Sequence, residues 1–397
     1  MSPFESFPIF PQKENLEAKG ESKTSRETTI SRILENLEKD NIKGKVIEFP
    51  ENKEFSKVII LEKETPEGKF VRLYRGVARV DESILKQVPY AMRSERIGGK
   101  PEILENLKPE VETLARNPTY ENLMNYFNKV HNYLTPEELF RFEKDIKEIE
   151  EEILGGKSLR EALVWQQIKH GGGWGESGIT PYISASYDPY KAMEYARGGL
   201  IVIDVPLSEI EDFTKDSKEC NIIGCLDKKY ITAIVIREFH RTEEEHLKQE
   251  LDRVLKEIQE SVPVDLYKDE ELKREREKKL KNEEELDRKQ WEIDVEKVRQ
   301  NRVRRLREMF PDVSIDLENI PEGMDIYTKA KRDIFDFYEG RLRALGRHIE
   351  DYSFTETEYY GTPKKFDREN ITETMLVKLK ALVEHLEKRE KERQKEK

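Results

Sequence analysis

Cysteine is nearly absent: Cys220 and Cys225 are the two in 397 residues. A disulfide scaffold needs far more thiols in a chain of this length. With no second pair nearby, the two cannot complete a cysteine zinc site, so both read as small buried apolar groups. Also missing is any apolar run near the ~20 residues that a bilayer span requires. The opening MSPFESFPIFPQKENLEAKG has no basic segment followed by a sustained apolar stretch, so no Sec signal is expected. Net positive charge is absent as well: 71 Lys and Arg face 83 Asp and Glu, giving −12, the opposite of a nucleic-acid-binding footprint. Hydrophobic residues are scarce, 36% against 39% charged, too lean for one large globule. The expectation is a soluble protein of a reducing compartment, with two or three domains, a modest core and long solvated helices.

What is present changes character along the chain. Residues 1–25 are rich in Pro, Ser, Lys and Glu and read as a flexible leader. A capping-type start at Ser25 precedes Ile30, Ile33, Leu34 and Leu37, a short amphipathic helix. Three β-rich runs follow, starting at Lys45, Lys57 and Lys69, with β-branched and aromatic residues between Pro and Gly. Residues 101–168 switch to helical spacing, as in Leu123, Tyr126, Phe127 and Val130. The glycine run 171–175 reads as a hinge. Strand signals then return at 180–186, 200–205 and 230–236, with a short helix from Asp188 to Ala196 that carries Pro189 in its first turn. Beyond His240 the pattern is helical. Leu247, Leu251, Val254, Leu255, Ile258 and Val262 form one stripe, ended by Pro263. Residues 268–308 follow as a highly charged helix; between Leu272 and Leu280 every residue is charged, and that stretch is expected to bury little. Further helices are expected at about 326–351 and 373–396.

Chemistry concentrates in three segments of the β-rich part. Leu73-Tyr74-Arg75-Gly76 closes a strand. Tyr182-Ile183-Ser184-Ala185-Ser186 is a strand running into a helix. Lys218-Glu219-Cys220-Asn221-Ile222-Ile223-Gly224 places an acid before an apolar run. A strand-end arginine offers a rigid fork of donors to phosphate oxygens. A small hydroxyl can orient a carboxylate. A carboxylate beside a ribose can bind its hydroxyls and stabilise an oxocarbenium-like transition state. Each residue type alone is more often structural or solvated than functional.

The order and flanks of the three segments resemble the mono-ADP-ribosyltransferases of the arginine–serine–glutamate class, which includes bacterial toxins and effectors. That family has an aromatic-or-apolar-X-Arg-Gly strand, a Ser-Thr-Ser strand and a Glu-X-Glu motif. The resemblance covers about residues 45–240 and is closest over Tyr182 to Ala196. It implies an α+β fold: a split two-sheet core over 26–240 with the helical insert 101–168. Of the rest it says nothing; there the residue pattern alone gives a charged helical or coiled-coil segment at 241–312 and a helical region at 313–397. The resemblance implies NAD⁺ as co-substrate, a protein acceptor and no metal, with Arg75, Gly76, Ser184, Ser186, Tyr187 and Tyr190 on the cofactor side. Arg75 would meet the phosphates, Ser184 would position the catalytic carboxylate, and Glu219 would be that carboxylate. A member of this class would be cytoplasmic in its producer, or delivered to a host cell by a Sec-independent route.

Two departures bear on the chemistry. Ala185 stands where the family has Thr, and Glu-X-Glu is incomplete. With Glu219 in the second, catalytic position, the first is Ser217. With Glu219 in the first, the catalytic position holds Asn221. The distance from Glu219 to Gly224 favours the former, and a one-residue shift would turn every side chain to the other face. Ser217 then leaves the acceptor side without its acid, a role Asp216 could fill in the loop 213–218. The literal Glu209-Ile210-Glu211 reads as a surface pair on a turn. Trp174 reads as a core-packing residue before a stack for adenine, and His170 is a lone histidine with no neighbouring ligand set, so no metal is expected there. Two other functions fit the same residues: an NAD⁺ glycohydrolase, and a catalytically inactive protein that meets partners through its helices.

Overall fold

The computed structural model describes residues 23–39, 41–62, 67–77, 80, 101–171, 181–211, 218–238, 244–352 and 371–395. The helices among them are α1 (Lys23–Lys39), α2 (Pro101–Arg116), α3 (Tyr120–Val130), α4 (Pro136–Leu154), α5 (Leu159–Gly171), α6 (Pro189–Met193), α7 (Glu244–Ser261), α8 (Asp269–Met309), α9 (Ile326–Ala344) and α10 (Glu373–Lys395). The strands are β1 (Lys43–Glu48), β2 (Lys57–Glu62), β3 (Val71–Val77), β4 (Tyr182–Ser186), β5 (Gly199–Val205), β6 (Ile210–Glu211), β7 (Glu219–Ile223) and β8 (Ile231–Ile236). The chain forms two compact units: Met1–Ala115 with Thr180–Leu280, and Arg116–Ile179 with Lys281–Lys397. The division runs through the helical insert expected at 101–168.

The first unit is built on one antiparallel sheet in the order β1-β2-β8-β5-β3-β4-β7-β6. The two separate sheets expected from the sequence are joined. Between β3 and β4, however, the described residues share a single pair, Tyr74 with Ser186, whereas β3 and β5 pair along seven residues from Val71 to Val77. All seven residues of β5 are buried, because its Leu-Ile-Val-Ile run is covered on both faces.

One face holds Ile59, Leu73, Ile201, Ile203 and Ile234 against Ile30, Ile33 and Leu37 of α1. The other holds Val58, Ile60, Leu200, Val202 and Val235 against Leu251, Val254 and Ile258 of α7. Both helices were legible as apolar stripes, and burying each such side chain contributes about 1.5–3 kcal/mol. On the α7 face, Arg72 of β3 and Asp204 of β5 are register partners and form a two-pronged ion pair at 2.8 and 2.9 Å. Thr232 donates to the same carboxylate at 2.6 Å.

In the second unit, Val303, Leu306 and Phe310 pack with Ile334, Phe335 and Tyr338 of α9 and Leu376, Leu379 and Val383 of α10. The helix expected at 326–351 stops at Ala344. Gly346, at φ +68°, turns the chain before a short 3₁₀ turn, Ile349–Asp351.

The charged helix α8 spans Asp269–Met309 as expected, and no residue from Lys273 to Lys279 is buried; what the sequence did not signal lies further along it. Its buried positions include Asp287, Asp294 and Arg302 beside Val295, Val298 and Leu306, so charges occupy core sites of its stripe. Arg302 and Asp287 are tolerated because they are paired, while Asp294 accepts from Tyr120 N–H and Gln290 Nε2, both at 2.9 Å, through one carboxylate oxygen. Arg302 Nε donates to Glu150 at 2.9 Å, Tyr120 donates to the same carboxylate at 2.5 Å, and Arg160 Nε donates to Asp287 at 3.1 Å. Among the described residues, no helix is long and apolar enough to cross a membrane.

Candidate functional site

Strands β3, β4, β7 and β6 are neighbours in that order, which brings all three sequence segments into one part of the sheet. Their registers then sort the side chains by face. Tyr74 pairs with Ser186, and Ser186 with Glu219; in the next row Ser184 pairs with Asn221, and Asn221 with Glu211. Partners in an antiparallel ladder share a face and alternate residues return to it. Tyr74, Ser184, Ser186, Glu219, Asn221 and Glu211 therefore lie on one face. Arg75, alternating with Leu73 and Val77, lies on the other and pairs with Ile201.

Arg75 nevertheless reaches the serine strand. It is 9% exposed and donates through Nη1 to the Ser184 carbonyl, in the stretch where the β3–β4 ladder has lapsed. Its Nε is buried without a hydrogen-bond partner. A buried guanidinium nitrogen with no acceptor is costly, and a ligand oxygen is one way to satisfy it.

Of the two serines, only Ser184 is exposed. Ser186 is 4% exposed and fully engaged: its hydroxyl donates to the Lys218 carbonyl at 2.7 Å and accepts from the Asp188 N–H at 3.0 Å. Tyr187 N–H donates to the same Lys218 carbonyl at 2.8 Å. Ser186 thus ties the end of β4 to the start of β7 and to the turn into α6, a structural task the sequence reading did not assign it. Asp188 caps α6 by accepting from Tyr190 N–H at 2.8 Å, and meets Lys218 Nζ at 2.9 Å. Burial alone would raise the Asp188 carboxyl, but bonds from Lys218 and from the Tyr190 and Lys191 N–H groups outweigh it and hold it below the usual range.

Gly76 has a packing reason. A Cβ there would stand 2.2 Å from the Ala192 carbonyl, so its missing side chain admits α6 onto the sheet. Helix α6 carries Lys191, whose Nζ is 4.0 Å from Glu219 and 2.7 Å from Glu194. Contact with Glu194, against a smaller opposing effect of burial, raises the Lys191 ammonium, and Glu219 adds to the rise. Glu219 is 38% exposed and opens β7. Tyr190 donates its hydroxyl to Asp252 of α7 at 2.5 Å. The Tyr187 ring lies under the Arg276 guanidinium of α8, 4.2 Å from the ring centre.

At the far end of β7, Gly224 adopts φ +64° and lies against the Glu112 carboxylate, which accepts from Cys225 N–H at 2.7 Å. Cys220 is buried, while Cys225 is half-buried. Asn221 is 3% exposed, and its Nδ2 has no partner.

Glu209-Ile210-Glu211 is not the surface pair expected. Glu209 ends a 3₁₀ turn, Ile210 and Glu211 form the edge strand β6, and Glu211 is wholly buried beside Asn221. Pro206 signalled the turn, but two residues are too few to show alternation, so the strand had no sequence signature. Ser217, Asp216 and Trp174 lie outside the described residues. Among the described residues, no group of three or more His, Cys, Asp or Glu could hold a metal ion. No protein-family model matches the chain, and no curated protein or solved structure shows significant similarity to it.

Proposed function

We propose that the protein is an NAD⁺-dependent mono-ADP-ribosyltransferase, an effector or toxin that modifies a side chain of another protein. The observation that carries this reading is the adjacency of β3, β4 and β7. It sets Arg75 against the Ser184 carbonyl and Glu219 beside Ser186, with one nitrogen of Arg75 unpartnered. In the proposed reaction the bond between the nicotinamide nitrogen and C1′ of the ribose breaks. Its electron pair goes to the departing nicotinamide, which becomes neutral. Glu219 faces the positive charge that grows on the ribose, and the acceptor's nucleophilic atom bonds to C1′ as it loses its proton. Lys191 keeps a counter-charge near Glu219 in the absence of a ligand. The helical region beyond residue 240, outside the span of resemblance, suits recognition of the acceptor or another partner.

The register favours a second reading too. The residue directly across from Ser184 is Asn221, an amide that cannot balance the charge of an oxocarbenium ion. On that reading the site binds a dinucleotide without cleaving it, and the protein acts through its helices.

Incubation with labelled NAD⁺ and cell lysate, comparing wild type with Glu219→Ala and Arg75→Ala, tests the proposal. Wild type is expected to label a protein and both variants to lose that labelling. Equal labelling by Glu219→Ala would sink the assignment of the carboxylate. Binding of NAD⁺ without labelling or release of free ADP-ribose would favour the second reading.

A further inference from the structure

On the face of the sheet that holds Glu219, β4 and β7 pair in three rows. Ser186 faces Glu219 at the margin, Ser184 faces Asn221 in the middle, and Tyr182 faces Ile223 innermost. Asn221 also pairs with Glu211 of β6. The rows pass from polar and open to apolar and closed: Glu219 is 38% exposed, Asn221 is 3% exposed, and Tyr182 and Ile223 are buried. Glu219 and Asn221 are two residues apart on one strand, about 7 Å along the same face. A ligand held at Glu219 and extending inward therefore meets Asn221 next.

The Asn221 amide is not explained by packing. Its Nδ2 is sealed from solvent and has no hydrogen-bond partner. Its strand neighbours Cys220, Ile222 and Ile223 are buried apolar side chains, and a leucine or valine would fill the same position without stranding a donor. An amide donor left unpaired in such surroundings is costly, and a ligand oxygen would satisfy it. Access lies on the serine side: Ser184, directly across the ladder, is exposed, so the row opens to solvent there. Asparagine has two side-chain torsions, the second of them broad, which is enough to turn the donor toward that opening.

The order of the ligand's parts then names what Asn221 meets. In the proposed reaction Glu219 faces C1′ of the ribose, and the group bonded to C1′ is the nicotinamide ring. That ring is flat and apolar on its faces, which suits the Tyr182–Ile223 row, and its polar substituent is a carboxamide. Asparagine presents a donor and an acceptor in one plane, the complement of a carboxamide's acceptor and donor. Resting on the proposed reading of the site, we propose that Asn221 recognises the nicotinamide carboxamide, its Nδ2 donating to the carboxamide oxygen. Asn221 is thus a specificity residue, selecting dinucleotides whose pyridinium ring bears an amide, and it leaves the chemistry to Glu219.

The test uses the full chain and calorimetric binding of two probes: NAD⁺, and the analogue whose pyridinium ring lacks the carboxamide. Wild type is expected to bind NAD⁺ about three- to tenfold more tightly than the analogue, the scale of one neutral hydrogen bond. Asn221→Leu is expected to weaken NAD⁺ binding by that factor and to leave the analogue unchanged, so that the preference disappears. Asn221→Ala removes the amide with a different change of shape and carries the comparison if the leucine variant does not fold. A wild type that binds both probes equally overturns the inference without any variant, and so does a variant that keeps the preference. Equal weakening of both probes would mark a structural role and overturns it too. Failure of the wild type to bind either probe instead defeats the reading of the whole site, and this inference with it.

Discussion

Asn221 lies directly across the ladder from Ser184, while Glu219 lies across from Ser186. The exposed serine and the candidate carboxylate are therefore diagonal neighbours, typically about 7–8 Å apart between backbones, on one face of two strands. If Glu219 carries the chemistry, Glu219→Gln lowers NAD⁺ turnover by ~100-fold or more, since it removes the charge facing the growing cation. Asn221→Ala then costs less than about tenfold, the scale of one neutral hydrogen bond. Single-turnover release of nicotinamide from both variants checks the ranking. The reverse order would transfer the chemistry to the Ser184–Asn221 row.

Gly76 is where the sheet admits α6, and adding one methyl group tests that contact. The new Cβ would face the Ala192 carbonyl at 2.2 Å and the Ala196 nitrogen at 2.8 Å, both backbone atoms that cannot rotate aside. Gly76→Ala is expected to destabilise the protein by about 1–3 kcal/mol, the range for overpacking. It should also weaken NAD⁺ binding, because α6 carries Lys191 to Glu219. A urea titration with an unshifted midpoint would show that α6 is free to retreat.

Much of this arrangement was legible before the structure. The β-branched runs at β2, β5 and β8 and the apolar stripes of α1 and α7 follow local periodicity, and each fell within a few residues of its expected place. What stayed hidden depended on pairing between distant segments. Nothing local in Ser184 or Asn221 fixes them as partners, because register comes from the connection between β4 and β7. The face occupied by Arg75 was invisible for the same reason. Strand β6 has only two residues, so Glu211 read as a surface acid. In α8 a hydrophobicity pattern misses core positions filled by Asp287, Asp294 and Arg302, because their partners lie on other helices.

The ion pair between Arg72 and Asp204 bridges the two central strands next to the site, with side chains 9% and 1% exposed. Asp204→Ala leaves the guanidinium buried and unpaired and removes the acceptor of Thr232. The expected loss is about 3–5 kcal/mol, as for other broken buried pairs. Replacing both partners with apolar residues of similar volume should cost much less, since no charge is then stranded. Denaturant titrations of the single and double variants measure the difference, and equal losses would mean that the pair's stems, not its charges, hold β3 to β5.

Tyr190 joins α6 to α7 through its hydroxyl bond to Asp252, and that bond makes a pH-dependent tether. Hydrogen bonding to the Asp252 carboxylate, helped by burial and by the charge of Asp252, pushes the Tyr190 phenol up to about 12. The ordinary value is near 10. Because the folded value is the higher one, the stabilisation is fully present below pH ~10 and is lost as pH rises through about 12. Asp252→Asn removes the carboxylate, so the phenol should return toward ~10 in an ultraviolet titration, and the stability difference from wild type should vanish above pH ~12. The tether also fixes the helix that holds Lys191 beside Glu219. Asp252→Asn should therefore weaken NAD⁺ binding at neutral pH, where both phenols are protonated. A variant whose phenol shifts while its NAD⁺ affinity does not would separate the tether from the site.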